Sequence, residues 1–449
     1  MMMDTIFALS SGAGTAGVAV IRLSGPKALE ALQILSGKDL PKPRKAALRE
    51  LKDHRTGIRL DKSLVLTFPA PASFTGEDVV ELHLHGGRSV IMGVLEALTE
   101  INGLRMAEPG EFSKRAFENE KLDLTEAEGL NDLIHAQTAA QREQALRQLD
   151  GALKNLYEDW RGRLVGHLAH LEADIDFPDE DLPEGVAGAV LPNITSLRDD
   201  IKGYLKDNKR SEAIRDGFRI VILGEPNAGK STLMNALSKS DVAIVSDEKG
   251  TTRDVIEVNL DLGGYPVRLI DTAGLREGEG DVEREGIRRA EKKAEEADLR
   301  LVLVRADEWP TIPEATSKWL DEDAILVITQ TDRVSMFHVK HDDVPNGMKV
   351  ITASVRDNDG LDELLSTVED FVSEAMAPRE LPSLTRVRHR KALEDTVDHL
   401  YRFEDNAGLD AVLAAEDVRM AARSLGKITG RVGVEDMLDV VFSDFCIGK

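Results

Sequence analysis

The chain carries one cysteine, Cys446, in 449 residues. That excludes an internal disulfide and fits a reducing compartment. No apolar run approaches the roughly 18 residues a membrane-spanning helix needs. The opening MMMDTIFALSSGAG has neither the basic start nor the long apolar stretch of a secretory signal. A cytoplasmic location, with no membrane partner, is the expectation. Positive charge is in deficit: 57 Lys and Arg face 81 Asp and Glu, a formal net charge of -24. That balance excludes broad, non-specific adhesion to nucleic acid, which needs a basic field. It leaves room for local patches, and there are two. Thr385 to Lys391 reads TRVRHRK, and Arg419, Arg423, Lys427 and Arg431 recur every four residues, near one face of a helix. For each patch a solvated face and an RNA contact are both open. There is no internal repeat and no low-complexity tract.

What is present is the composition of a soluble globular protein, 42% hydrophobic and 31% charged, in a chain too long for one ordinary core. Three textures follow one another. Residues 1–118 mix turns with alternating strands, clearest in GVAVIRLSG (17–25), SLVLTFPA (63–70) and DVVELHLHGG (78–87). In the last, Val80, Leu82 and Leu84 share one face of a strand while Glu81, His83 and His85 share the other. Two histidines without a third ligand do not make a metal site. From 119 to 216 the pattern is helical, with leucines and alanines three or four residues apart, broken by an acidic, proline-bearing loop at DFPDEDLPEG (176–185). From 217 to 382 short apolar runs (FRIVILG, PVRLIDTAG, LRLVLV, AILVIT, KVITA) alternate with helix-like segments, as in a largely parallel sheet covered on both faces. Helical texture returns over 383–449. The fold expected is therefore α/β and all-α multidomain: an N-terminal α+β domain, then a discontinuous helical domain into which a P-loop domain is inserted.

Gly224-Glu-Pro-Asn-Ala-Gly-Lys-Ser231 fits the P-loop pattern and lies between a strand and a helix, as that motif requires. Glycines let the loop wrap phosphates, and its backbone N–H groups point at the anion. Lys230 reaches the outer phosphates and the Ser231 hydroxyl ligates Mg²⁺. Asp271-Thr272-Ala273-Gly274 puts a carboxylate near the metal and an amide near the γ-phosphate. Gly250-Thr-Thr-Arg-Asp254 offers a hydroxyl to the metal from a loop that triphosphate can order. Thr329-Gln330-Thr331-Asp332 stands where a base-reading N-K-x-D is usual. Asp332 accepts from guanine N1–H and N2–H₂, donors that adenine lacks, and Thr352-Ala353 supplies backbone to the base. With Thr329 and Gln330 in place of Asn and Lys, one amide contact to the base is lost. After D-x-x-G many GTPases carry a water-orienting Gln; here the residue is Leu275. Glu277, Glu279, Asp281, Glu283 and Glu285 are equivalent candidates to replace it.

Across nearly its whole length the chain resembles the MnmE (TrmE) family of tRNA-modification GTPases. The likeness rests on IRLSGP (21–26), SFTGEDVVELHLHGG (73–87), AEPGEFSKRAFENEKLDLTEAE (107–128), GEPNAGKSTL, GTTRD, DTAGLRE and the terminal FCIGK (445–449). The resemblance implies a Ras-like G domain at 217–382, between helical segments 119–216 and 383–449, and an N-terminal tetrahydrofolate-binding and dimerisation domain at 1–118. It implies K⁺ held by Asn227, Ser246, Glu248 and Thr251, and Mg²⁺ held by Ser231 and Thr252. It singles out Glu283, in DVER, as the residue that orients water. GTP contacts extend over Asn227, Ala228, Gly229, Lys230, Ser231 and Thr232, over Ser246, Asp247, Glu248, Lys249, Gly250, Thr251 and Thr252, and over the three later motifs. A formyl-tetrahydrofolate pocket is implied at Arg22, Glu81, Lys121 and Lys449, and a role for Cys446 in the modification chemistry.

The family further implies a homodimer, an FAD-dependent MnmG (GidA)-type partner completing a heterotetramer, and a carboxymethylaminomethyl-type group installed at C5 of the wobble uridine of certain tRNAs. One departure is GAGTAG at Gly12 to Gly17, where this family usually has an arginine-bearing loop. The rival is a GTP-dependent RNA-binding assembly or regulatory factor of the Era type, which has no use for a folate pocket.

Overall fold

A computed structural model describes residues 4–12, 14–176, 186–207, 212–244, 256–271, 281–335, 337–339, 344, 348–377, 381–407, 409–433, 438, 441–443, 445, 447 and 448; of 186–188, 207, 212, 256 and 281–287 only the backbone is described. The expected loop at 176–185 lies, beyond Asp176, outside the described residues. The chain forms two compact units: Met1–Asn131 with Gln148–Leu197 and Asp395–Lys449, and Asp132–Arg147 with Arg198–Glu394.

In the first unit, strands β1 (Thr5–Leu9), β2 (Ala16–Ser24), β3 (Ala47–Lys52), β4 (Arg59–Phe68), β5 (Val79–Gly86) and β6 (Leu104–Met106) form a sheet of order β3-β4-β5-β2-β1-β6. All neighbours are antiparallel except β1 and β6. The alternation read from β5 holds: Val80, Leu82 and Leu84 are buried, while Glu81 and His83 are half-buried and His85 is exposed. Helices α1 (Ala28–Ser36) and α2 (Arg88–Thr99) close the apolar face, packing Leu32, Leu35, Val94 and Leu98 on Ile21, Leu23 and the β5 residues. After α3 (Glu111–Glu118), Asp123 opens α4 (Leu124–His135) with a reciprocal cap. Its Oδ1 accepts from the Glu126 N–H at 2.8 Å, and Glu126 Oε2 accepts from the Asp123 N–H at 2.7 Å.

The long helix α6 (Ala152–Asp176), which follows α5 (Ala139–Leu149), packs in this unit against α14 (Ala411–Thr429). Alanines 414, 415, 421 and 422 line the buried side of α14, so the two backbones run close. Asp410 caps α14 by accepting from the N–H groups of Val412 and Leu413, worth about 1 kcal/mol. Two members of the basic row are engaged here: Arg419 pairs with Glu172 at 2.7 Å and Arg431 with Glu158 at 2.6 Å. The C-terminal segment then returns to the N-terminal sheet. Phe442 and Phe445 seat on Leu124, Ala127 and Phe117, Ile447 forms an antiparallel bridge with Pro109, and Gly448 (φ +91°) lies so close to the Leu9 carbonyl that a Cβ would collide with it.

The second unit holds α8 (Glu212–Asp216), part of α7 (Val186–Asp207) and a sheet of order β12-β11-β10-β7-β9-β8. Its strands are β7 (Phe218–Gly224), β8 (Ile256–Leu262), β9 (Tyr265–Asp271), β10 (Leu299–Arg305), β11 (Ala324–Thr329) and β12 (Lys349–Ala353). Every residue of β11 is buried, as a central parallel strand requires. Only β8 runs antiparallel. This edge strand is not among the apolar runs read from the sequence, although IEVNLDL alternates and Gly263-Gly264 (φ +58° and +87°) makes the tight turn that joins it to β9. Helices α9 (Lys230–Leu237), α10 (Asp281–Glu295), α11 (Glu314–Ser317) and α12 (Leu361–Ala375) complete the domain, and α13 (Val387–Asn406) follows it. The expected domain limits follow texture, whereas the compact units follow contacts. Arg386 pairs with Asp132 at 2.7 Å and Gln141 donates to the Arg215 carbonyl, which draws 132–147 and 383–394 to this sheet. In TRVRHRK, accordingly, Thr385 and His389 are buried. No helix among the described residues is long and apolar enough to cross a membrane.

Burial lifts the Asp123 carboxyl above its ordinary value, against the pull of the Glu126 N–H and the Thr125 hydroxyl; the Glu126 charge adds to the lift. The folded chain thus holds this proton to a higher pH than the unfolded chain does. Ionising Asp123 costs stability, and the cost grows as pH rises from about 4 through the folded value. Asp123→Asn keeps the capping oxygen and removes the charge. It should raise the thermal unfolding midpoint more at pH 7 than at pH 4, as read by circular dichroism.

Candidate functional site

Apolar strands fix where the phosphate loop starts. Ile220 and Ile222 of β7 are buried in the sheet, so the chain leaves the strand at Gly224 beside β10. Gly224 has φ +149°, and a Cβ there would stand 2.7 Å from the Leu303 carbonyl. The loop turns through Asn227, in the left-handed region at φ +66°, and Gly229 at φ +94°, which precedes the first turn of α9. Lys230 is buried and donates from Nζ to the carbonyls of Gly224 at 3.0 Å and Glu225 at 2.9 Å. Ser231 donates from Oγ to Asp271 Oδ2 at 2.9 Å, and Asp271 is wholly buried at the end of β9. A hydroxyl beside a carboxylate at a helix start is the hard-oxygen setting that suits Mg²⁺. Among the described residues no group of three or more His, Cys, Asp or Glu forms a metal cage.

The loop after β11 closes on this one. Thr329, buried, donates from Oγ1 to the Ala228 carbonyl at 2.7 Å. Gln330, at φ +59°, donates from Nε2 to the Asn227 carbonyl at 2.7 Å. Asp332 is held by Ser354, whose hydroxyl donates to its Oδ1 at 3.0 Å, with Arg356 3.8 Å from its other oxygen. Ala353 pairs with Thr329 across β12 and β11, so Thr352 and Ala353 lie beside this loop. Ser354 is not among the residues the sequence singles out; its signal is its place directly after Thr352-Ala353. Thr232 is exposed on the first turn of α9.

Ser246, Asp247, Glu248, Lys249, Gly250, Thr251, Thr252, Thr272, Ala273, Gly274 and Leu275 lie outside the described residues, as do Glu277, Glu279, Cys446 and Lys449. Glu283 belongs to α10, where only the backbone is described, and the same holds for Asp281 and Glu285.

The polar face of the first sheet carries a second constellation. Arg22 and Glu81 sit opposite each other on β2 and β5 and form an ion pair at 3.0 Å. The Arg22 guanidinium also lies 5.4 Å from the Phe74 ring and 5.8 Å from that of Phe112. The sequence does not mark these aromatic neighbours, although Phe74 stands within SFTGEDVV. Lys121 flanks the same loop: a Cβ on Gly76 would meet its Cε at 3.0 Å. His83 reaches Glu81 at 3.4 Å, and His85 reaches Asp61 at 2.8 Å, so each histidine faces a different carboxylate. Burial would raise the Asp61 carboxyl, but the backbone N–H and ring of His85 outweigh it and hold the group below its ordinary value. On the far side of Arg22, Ala8 is its strand partner in β1, and Gly448 abuts the next residue, Leu9. At Gly12, Gly14 and Gly17 a Cβ would meet nothing within 4 Å, so crowding does not explain that glycine-rich loop.

Two family models match the chain: the "GTP-binding protein TrmE N-terminus" over residues 5–121 and the "MnmE helical domain" over 124–446. Among curated proteins, the tRNA modification GTPase MnmE of Parvibaculum lavamentivorans is 52% identical over 100% of both chains. That of Paramagnetospirillum magneticum is 51% identical, again over 100% of both. A mitochondrial 5-taurinomethyluridine-[tRNA] synthase subunit of Danio rerio is 45% identical, over 99% of this chain and 93% of its own.

The crowding at Gly224 sets a test of the loop. Gly224→Ala adds a methyl against the Leu303 carbonyl in a backbone region that alanine rarely adopts. It should weaken GTP binding by at least about tenfold in a fluorescent-nucleotide titration. Far-ultraviolet circular dichroism should be little changed.

Proposed function

The chain belongs to the MnmE family of tRNA modification GTPases and hydrolyses GTP in the modification of tRNA uridine, and we propose a finer account of how it does so. It works in the cytoplasm as a homodimer, joined by an FAD-dependent MnmG-type partner in a heterotetramer. There it installs a carboxymethylaminomethyl-type group at C5 of the wobble uridine of certain tRNAs. A bound 5-formyl-tetrahydrofolate-type folate supplies the one-carbon unit. Domain limits follow the chain as 1–118 for folate binding and dimerisation, 217–382 for the G domain, and 119–216 with 383–449 for the helical domain.

At the nucleotide, Lys230 stabilises charge on the outer phosphates, and the N–H groups of Ala228 to Thr232 line them. Ser231 and Thr252 hold Mg²⁺, and Asn227, Ser246, Glu248 and Thr251 hold K⁺; these cations neutralise charge that develops on the phosphates. Asp247, Lys249, Gly250, Thr272, Ala273 and Gly274 complete the lining. Glu283 orients the attacking water in place of the absent glutamine, since the Leu275 side chain has no hydrogen-bonding group. Asp332 accepts from guanine N1–H and N2–H₂, with Ser354 fixing its carboxylate.

For the modification itself, Arg22, Glu81, Lys121 and Lys449 form the folate pocket, and Cys446 serves the chemistry beside it. The observation that carries this reading is the seating of the C-terminal segment. Of the described residues near Cys446, Ile447 bridges Pro109 and Gly448 abuts Leu9 of β1, the strand that pairs with β2 beside the Arg22–Glu81 pair. A purely regulatory GTPase of the Era type has no need of that arrangement.

Nucleoside analysis of tRNA from cells lacking the protein should show loss of the wobble-uridine modification; an unchanged profile would sink the proposal. Separately, GTP turnover should be at least about tenfold faster in KCl than in NaCl at equal ionic strength. Equal rates would remove the K⁺ assignment and leave the tRNA reading standing.

A further inference from the structure

The motif Thr329-Gln330-Thr331-Asp332 occupies the usual base-reading position but lacks the first two residues of the usual set. Where an asparagine stands, its amide offers an N–H that can reach the N7 acceptor on the Hoogsteen edge of a purine. Threonine has one O–H donor. That of Thr329 goes to the Ala228 carbonyl at 2.7 Å, with the Val304 carbonyl farther off at 3.4 Å, and the residue is buried. Turning the hydroxyl toward a base would orphan a buried carbonyl. Its remaining capacity is as an acceptor, useless to N7. The Gln330 amide is turned toward the loop as well: one of its two N–H donors goes to the Asn227 carbonyl at 2.7 Å, and its Oε1 is buried. Of the side-chain groups of Thr329, Gln330 and Asp332, the Asp332 carboxylate is the one not directed at the loop, and a carboxylate serves only the Watson–Crick edge with its N–H donors.

We infer that Thr329 and Gln330 are positioning residues that clamp two consecutive carbonyls of the P-loop, and that the site leaves purine N7 unread and selects guanine through Asp332. The accepted ligand class is thereby wider than guanine nucleotides proper: 7-deazaguanine nucleotides, which keep N1–H and N2–H₂ and replace N7 by C–H, enter on equal terms. A site that hydrogen-bonds a group rejects the analogue lacking it, while a site that ignores the group does not.

The inference rests on the proposed contact between Asp332 and guanine, and the experiment separates the two. Dissociation constants for GTP, 7-deaza-GTP and ATP are measured on the full-length protein by displacement of a fluorescent nucleotide. In the unaltered chain 7-deaza-GTP should bind within about threefold of GTP; weaker binding than that overturns the inference. Thr329→Val, which removes the clamp hydroxyl at nearly constant shape, should weaken GTP and 7-deaza-GTP by the same factor. A loss confined to GTP would show that the hydroxyl reads N7, again overturning the inference. Thr329→Asn should create a preference for GTP over 7-deaza-GTP. Asp332→Ala addresses the underlying contact: an unchanged preference for GTP over ATP would refute the Asp332 reading, whatever 7-deaza-GTP does.

Discussion

A loop that wraps phosphate must turn its N–H groups inward, and its carbonyls are then left facing the protein, where each needs a donor. In this chain four of them are met by side chains. Lys230 takes the carbonyls of Gly224 and Glu225, Gln330 takes that of Asn227, and Thr329 takes that of Ala228. The loop's shape is thus held by the helix that follows it and by the loop after β11. The rest of the nucleotide domain serves this arrangement. Buried β7, β10 and β11 bring the two loops to one end of the sheet, and the glycine at the end of β7 lets the backbone pass the Leu303 carbonyl.

Much of this is legible in the amino-acid sequence, because it depends on local pattern. The alternation in β5, the apolar runs of β7, β9, β10, β11 and β12, and the P-loop between strand and helix all stand where the sequence places them. The strand β8 is harder to see because its polar alternate residues read as loop and, beyond β9, it pairs only through a short bridge between Leu260 and Ala243. The basic patches leave two readings open, since charge spacing does not reveal which carboxylates lie opposite. Glu172 and Glu158 answer Arg419 and Arg431, and Asp132 answers Arg386 from more than 250 positions away. The clamp by Thr329 and Gln330 is unreadable for a related reason. A departure from a motif tells which contact is lost, but the new contact depends on a loop about a hundred residues earlier in the chain.

The N-terminal domain follows the same logic with a different outcome. Its sheet is closed on one face by α1 and α2, so the polar members of β2 and β5 are free to face elsewhere. There a guanidinium is held between a carboxylate and two aromatic rings, a setting that fixes its position without neutralising its hydrogen-bonding capacity for a planar ligand.

The seating of Phe442, Phe445, Ile447 and Gly448 against residues near the chain's beginning has a consequence for synthesis. The unit that starts with the first residues takes in Asp395–Lys449, whereas the other draws only on Asp132–Arg147 and Arg198–Glu394. A ribosome making the chain from its N-terminus releases everything the nucleotide unit needs while the N-terminal unit still lacks α14 and the final segment. The part that begins first is completed last, and a chain truncated in translation holds a nucleotide domain without a finished partner.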